Sequence, residues 1–232
     1  MKRHIALLVA LLLVAATLPA YAAGAIETTE ETWYVLSHSD DYRVYFYAGV
    51  KNGSDKPVSV NDLLFEIQAP DGLTIDSTAK YKLYPEVLKA GEEGWLVISK
   101  DVKDVASKSD IDHYTLTITS KVNEDKECVA LAANAGYLTK DEDDNEDVLR
   151  ASVTNSNSDV AFDITVAMAA KDAEGKLLYV VGDTAKDTGL AANAALLRRS
   201  LIRTDIMDEL EDNGVEIASA AAIAYTVNDL DD

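Results

Sequence analysis

Acyl or glycosyl transfer needs a nucleophile and a base within hydrogen-bond reach, and this chain is sparing with bases. Beyond the first 22 residues it has two histidines, His38 in Ser37-His38-Ser39 and His113 just ahead of an alternating run. No Gly-x-Ser-x-Gly elbow surrounds a serine, and neither an H-E-x-x-H pair nor a Gly-rich phosphate loop occurs. A triad drawn from His38 and the many serines and aspartates is too permissive to carry weight. No catalytic residue is therefore assigned, and the expectation is a protein that is not an enzyme. The inorganic alternative is calcium. Asp141, Asp143 and Asn145, within Asp141–Asp147, gather hard oxygen donors of the kind Ca²⁺ takes. Glu146 stands where an EF-hand needs glycine and a strand begins at Val148, so the competing expectation is a solvated acidic loop. Beyond a weak Ca²⁺ site no cofactor is expected. The basic cluster Arg198, Arg199 and Arg203 has Asp205, Asp208 and Glu209 close by and reads as internal charge compensation.

The charge balance narrows the partners. The 232 residues carry 41 Asp and Glu against 21 Lys and Arg, a formal charge of −20. Such a chain repels phosphate backbones and anionic head groups, which excludes nucleic acid as a partner. The 48% of apolar residues is enough to bury a core. Lys2 and Arg3, the apolar run from Ile5 to Thr17, Pro19 and Ala20-Tyr21-Ala22 have the form of a cleavable secretory signal over residues 1–22. The run is shorter than the roughly 20 apolar residues a membrane span requires. The expected mature chain is secreted or held in the cell envelope, without membrane insertion, and losing Lys2 and Arg3 takes its charge to −22. The one cysteine, Cys128, excludes a disulfide framework or a Cys-rich zinc module and reads as a small core hydrophobe.

The elements that would position any site repeat. Phe46–Asn52 followed by Gly53-Ser54-Asp55 has an echo 103 residues later, in Leu149–Asn155 followed by Ser156–Asp159. Each is an alternating run ended by a turn cluster, the signal of a strand and hairpin. Second runs follow at Val58–Ile67 and Val160–Met168, then turns at Pro70-Asp71-Gly72 and Asp172–Gly175, then strands at Trp95–Ser99 and Ala195–Ile202. Closing Tyr-Thr strands fall at Tyr114–Ile118 and Tyr225–Val227, and a further strand at Cys128–Tyr137. The clearest helix is Thr204–Glu211, with Thr204 or Asp205 as cap and Asn213-Gly214 as stop. Many short, turn-punctuated strands predict an all-β protein, two tandem immunoglobulin-like β-sandwiches at 27–122 and 124–232, with a boundary near Val122–Asp125.

This order of strands and turns resembles bacterial FxLYD-type immunoglobulin-like domains. The likeness is carried by Val153-Thr154-Asn155 and Asp172-Ala173-Glu174-Gly175-Lys176, and by Phe65-Glu66-Ile67 in the first copy, where Gln68 and Ala69 replace the name-giving Tyr and Asp. The resemblance implies the fold and an extracytoplasmic setting and brings no catalytic residues.

Strand parity then sorts faces. Val44, Phe46, Ala48 and Val50 match Leu149, Ala151 and Val153 and are assigned to the core, which turns Tyr45 and Tyr47 outward as Arg150 is in the second copy. Two outward tyrosines are a candidate binding surface, for stacking on sugars or as interface anchors, or simply a sheet-stabilising pair. Eleven aromatics fall between Trp33 and Tyr114 and four after Thr115, so the excess belongs to surface function or to core filling. The function expected is an exported, non-catalytic binding or structural module that presents a sheet face or loops to an extracellular protein or glycan. The alternatives are a carbohydrate-binding protein using the first copy's aromatics and a calcium-stiffened spacer.

Overall fold

A computed structural model describes residues 26–139 and 147–230. The described chain is built of antiparallel sheets with one short α-helix, an all-β sandwich architecture. In the N-terminal half, β1 (Ile26–His38), β2 (Asp41–Asn52), β3 (Val58–Gln68), β4 (Thr74–Thr78), β5 (Lys82–Tyr84), β6 (Glu93–Val102) and β7 (His113–Val122) form two sheets. Their orders are β1-β2-β6-β5 and β4-β3-β7. In the C-terminal half, β8 (Lys126–Leu138), β9 (Val148–Thr154), β10 (Ile164–Lys171), β11 (Leu177–Ala185), β12 (Ala195–Leu201) and β13 (Ser219–Asp229) join in the order β11-β10-β13-β8-β9-β12. β8 makes the join, pairing with β13 through residues 126–131 and with β9 through 132–138. The long strand thereby lets one sheet turn over and bury β9 and β10 in a common cluster.

The alternating runs form where period-two patterning predicts, and the expected inner face is buried. Val44, Phe46, Ala48 and Val50 pack with Leu63, Phe65 and Ile67 of β3 and with Leu96 and Ile98 of β6. Leu149, Ala151 and Val153 are buried in the other half. One run is shorter than predicted. Asp163, with a φ of 48°, turns the chain, so β10 starts only at Ile164 and Ala161 bridges Leu190 instead. The helix α1 (Thr204–Asp212) ends at Asn213-Gly214 as expected, with Gly214 at φ 66°. Its N-cap is Arg203 rather than Thr204 or Asp205; the Arg203 side chain makes no capping bond, and the Ile206 N–H donates instead to the Asp205 carboxylate at 3.0 Å.

Each echoed turn is tied by a buried asparagine. The Asn52 side chain donates to the carbonyls of Lys56 (2.7 Å), Leu88 (3.0 Å) and Lys89 (3.0 Å), and its oxygen accepts from the N–H and hydroxyl of Ser54. Asn155 donates to the carbonyls of Asp159 and Leu190, both at 2.8 Å, and accepts from the Asn157 N–H. The surrounding backbone bonds match as well. Val58 and Leu88 exchange N–H···O bonds, as do Ala161 and Leu190, and the residues after those leucines donate back to the Asn carbonyls from Gly91 and Asn193. Both of these donors sit at positive φ, 71° and 61°. A buried amide is the only side chain here that can satisfy several inward carbonyls and a turn N–H at once.

Asn52→Ala and Asn155→Ala should therefore each cost about 1–3 kcal/mol in urea unfolding, since the turn N–H loses its acceptor and each loop carbonyl loses its side-chain donor. A loss below about 1 kcal/mol at both sites would contradict that role.

Candidate binding site at the seam between the halves

The outer face of the β1-β2-β6-β5 sheet is set by register. Tyr34 pairs with Tyr45, Thr32 with Tyr47, Tyr47 with Val97 and Tyr84 with Trp95, so these side chains share one surface. Parity thus placed Tyr45 and Tyr47 away from the core of their own half, but neither is free. They are 6% and 2% exposed, because the C-terminal half lies on them, and the expectation of an exposed tyrosine surface is corrected on that ground. Both belong to one buried cluster with residues of β10, β11 and α1. The Tyr47 ring meets Tyr179 edge-on at 5.4 Å between centroids and Tyr34 at 6.3 Å. The Arg203 guanidinium, ahead of α1, sits 5.0 Å from the Tyr45 ring centroid in a cation–π contact. Much of the aromatic excess of the N-terminal half is spent on this seam.

Hydrogen bonds fix the seam against the outermost strand of the six-stranded sheet. The hydroxyls of Thr32, Tyr34 and Tyr84 donate to the carbonyls of Leu177 (2.6 Å), Leu178 (3.0 Å) and Gly182 (3.2 Å) on β11. Glu30 accepts from the Leu177 N–H at 2.8 Å and pairs with Lys171 at 3.2 Å. An edge strand that would otherwise offer bare carbonyls to another chain is capped by its own molecule. Gly182 is required by close approach. A Cβ there would lie 2.5 Å from Cζ of Tyr84.

The seam is closed at its centre and open on one side, where a cleft of about 330 Å³ lies between β5, β11 and Arg203. Tyr84 and Tyr179 form its deeper wall and the half-open ring of Tyr81 stands beside Lys80 and Lys82. Among the described residues no carboxylate lines it, and Asp205 stands behind Arg203. A larger cavity of about 680 Å³ lies beside α1, but Asp147, Asp208, Glu211 and Glu216 give it the same sign as the whole chain. Ligand pockets combine an aromatic wall with a few placed polar groups, which the seam cleft has.

The remaining candidates lie apart. Arg203 is held by Asp205 (2.7 and 3.0 Å), the charge compensation expected of that cluster, while Nε of Arg198 is buried without a hydrogen-bond partner among the described residues. His38 contacts an Arg43 nitrogen at 3.0 Å and His113 contacts Asp112 at 3.1 Å. Asp141, Asp143 and Asn145 lie outside the described residues. Asp147, at the end of that segment, accepts from the Tyr137 hydroxyl at 2.6 Å. Among the described residues no group of three or more His, Cys, Asp or Glu is arranged to hold a metal. Cys128 is buried, as its place in an alternating strand predicts, and burial pushes its thiol up to about 11. Tyr81, Tyr84, Lys80 and Lys82 were not singled out by sequence, because β5 is only three residues long.

Burial raises the seam phenols: Tyr84 and Tyr179 to about 12, with Tyr34 and Tyr47 also well above their ordinary value. The folded state holds these groups neutral, so the stability they contribute is full below the unfolded value near 10. It is lost as pH rises from there through the folded values. Unfolding free energy should fall steeply above pH 10, with the Tyr84→Phe and Tyr179→Phe variants each losing one phenol from the late-titrating part of the phenolate absorbance. Titration of these variants indistinguishable from wild type would refute the assignment. Gly182→Ala should cost about 1–3 kcal/mol by overpacking, and adding Tyr84→Leu should recover part of it. No recovery in the double variant would place the strain elsewhere.

No protein-family model matches this chain, and no curated protein matches it in sequence.

Proposed function

We propose that the protein is an exported, non-catalytic binding module of two immunoglobulin-like sandwiches, related as copies of one unit, that holds a glycan or a protein loop in the cleft at their seam. The observation that carries this reading is the seam itself. A largely buried aromatic face, four side-chain hydrogen bonds to β11 and a cation–π contact join the halves, and an aromatic, carboxylate-free cleft is left open beside them. A rigid wall built from two sheets holds a ligand's partners in place before it arrives, which lowers the ordering cost of binding. Support for two copies of one unit comes from the matching asparagine knots at Asn52 and Asn155. Support for export comes from the sequence of residues 1–22. The sugar-binding version moves from Tyr45 and Tyr47, which are covered, to Tyr81, a residue 38% exposed that lines the cleft.

The test is a pair of assays on protein beginning at Ala23. Esterase, glycosidase and peptidase panels should give no turnover, and a glycan array should give binding that Tyr81→Ala removes. Turnover abolished by His38→Ala or His113→Ala would overturn the non-catalytic reading, and array binding indifferent to Tyr81→Ala would overturn the cleft.

A further inference from the structure

We infer that the seam cleft takes an acidic saccharide, a sugar ring carrying a carboxylate; this rests on the reading of the cleft as a binding site and names its ligand class. The argument starts from charge. Acids outnumber bases about two to one in the chain, yet the cleft is lined by Lys80, Lys82 and Arg203 and by no Asp or Glu. Arg203 is already neutralised by Asp205 and lies over Tyr45, so it contributes shape more than free charge.

Lys80 and Lys82 differ from most cations around them. Lys51, Lys56, Lys89, Lys100, Lys108, Lys126 and Lys171 each have a carboxylate within 3.6 Å. Among the described residues neither Lys80 nor Lys82 has one, and no hydrogen bond engages either ammonium. They flank Tyr81 in sequence. Lys82 lies on β5 opposite Val97, which places it on the outer face with Tyr84 and Tyr47. Lys103, Lys121, Lys176 and Lys186 also lack a carboxylate partner among the described residues, but only Lys80 and Lys82 lie together on one cleft, and two such cations at a cleft lined by no carboxylate suit an anion.

The walls specify what carries that anion. Tyr81, Tyr84 and Tyr179 line the cleft, and tyrosines suit a body with apolar C–H faces and hydroxyl edges. The Tyr84 hydroxyl donates to Gly182 and keeps its lone pairs for an incoming donor. About 330 Å³ lies at the small end of ligand pockets and fits one or two sugar rings, not a polymer groove. A bare inorganic anion would leave the aromatic wall unused, and a neutral sugar would leave both lysines unpaired.

The experiment is calorimetric titration with D-galacturonate and D-galactose, which differ only by the carboxylate, followed by digalacturonate to separate a chain end from a free acid. Galacturonate should bind saturably, at least roughly tenfold tighter than galactose. The Lys80→Ala/Lys82→Ala variant should lose roughly tenfold or more, as expected for removing charge-assisted bonds. Both lysines are exposed, so the variant should fold, and an unchanged thermal midpoint checks this. Raising salt from about 0.05 to about 0.5 M should weaken galacturonate alone. Equal binding of both sugars, lost on Tyr81→Ala, would overturn the acidic class and leave the binding cleft standing. Galacturonate binding unchanged in the double lysine variant, or no binding of either acid, overturns the inference. Hydrolysis of digalacturonate during the titration would overturn the non-catalytic reading itself.

Discussion

The structure depends on covering one sheet face. The outer surface of β1-β2-β6-β5 carries Tyr34, Tyr45, Tyr47, Trp95 and Val97, a contiguous apolar patch of a size that soluble proteins rarely leave in water. Each fully buried aromatic removes enough surface to contribute on the order of 2–3 kcal/mol. The only partner within the described chain is the C-terminal half, and that half has a matching need. β10 is buried along nearly its whole length, Ile164 to Ala170, so it requires cover on both faces. One face packs within its own half. The other requires the tyrosine sheet. The two halves bury complementary faces against each other, and the hydroxyl caps on β11 fix the register in which they join.

This constraint explains what was legible in the sequence and what was not. Period-two patterning identified β2, β3, β6, β7, β9 and β12 and sorted the core face of β2 correctly, because alternation is the direct consequence of strand geometry. It could not say what lies on the other face. Tyr47 and Arg150 hold equivalent positions, yet one is 2% exposed and the other faces solvent. The missing signal was present elsewhere. Val166 to Ala170 does not alternate, and an unbroken apolar run in an antiparallel sheet implies cover on both sides. Setting that run beside the aromatic excess of the N-terminal half would have led to the seam. β5 was illegible for a different reason. Its three residues are held by pairing with β6 and by Tyr84 reaching across to Gly182, and neither interaction leaves a local pattern.

The asparagines show a second kind of partial legibility. Asn52 and Asn155 close the alternating runs just ahead of the turn clusters, and each helps form its turn by accepting from the N–H two residues on. Their larger role is long-range. Each amide also reaches a leucine carbonyl 35 or 36 residues away and ties the second strand of its unit to the loop before the sixth or twelfth. Local propensity selects Asn for the turn, and the tertiary knot selects it again for burial. Agreement between the two levels makes the position well specified.

Net charge says little about the cleft. At physiological ionic strength a fixed charge is screened over about 8 Å, so a ligand in the cleft feels Lys80, Lys82 and Arg203 far more than the acids at Glu27 to Glu31 or near the C-terminus. The long-range field of the chain slows the approach of an anion, and the local field decides its residence. Acidity of the whole molecule disfavours binding that needs a broad basic footprint more than it disfavours a small anion held at one basic mouth. The fold supplies that mouth by placing a three-residue edge strand that begins at Lys82, with Lys80 just before it, beside the interface where aromatic rings from both halves meet.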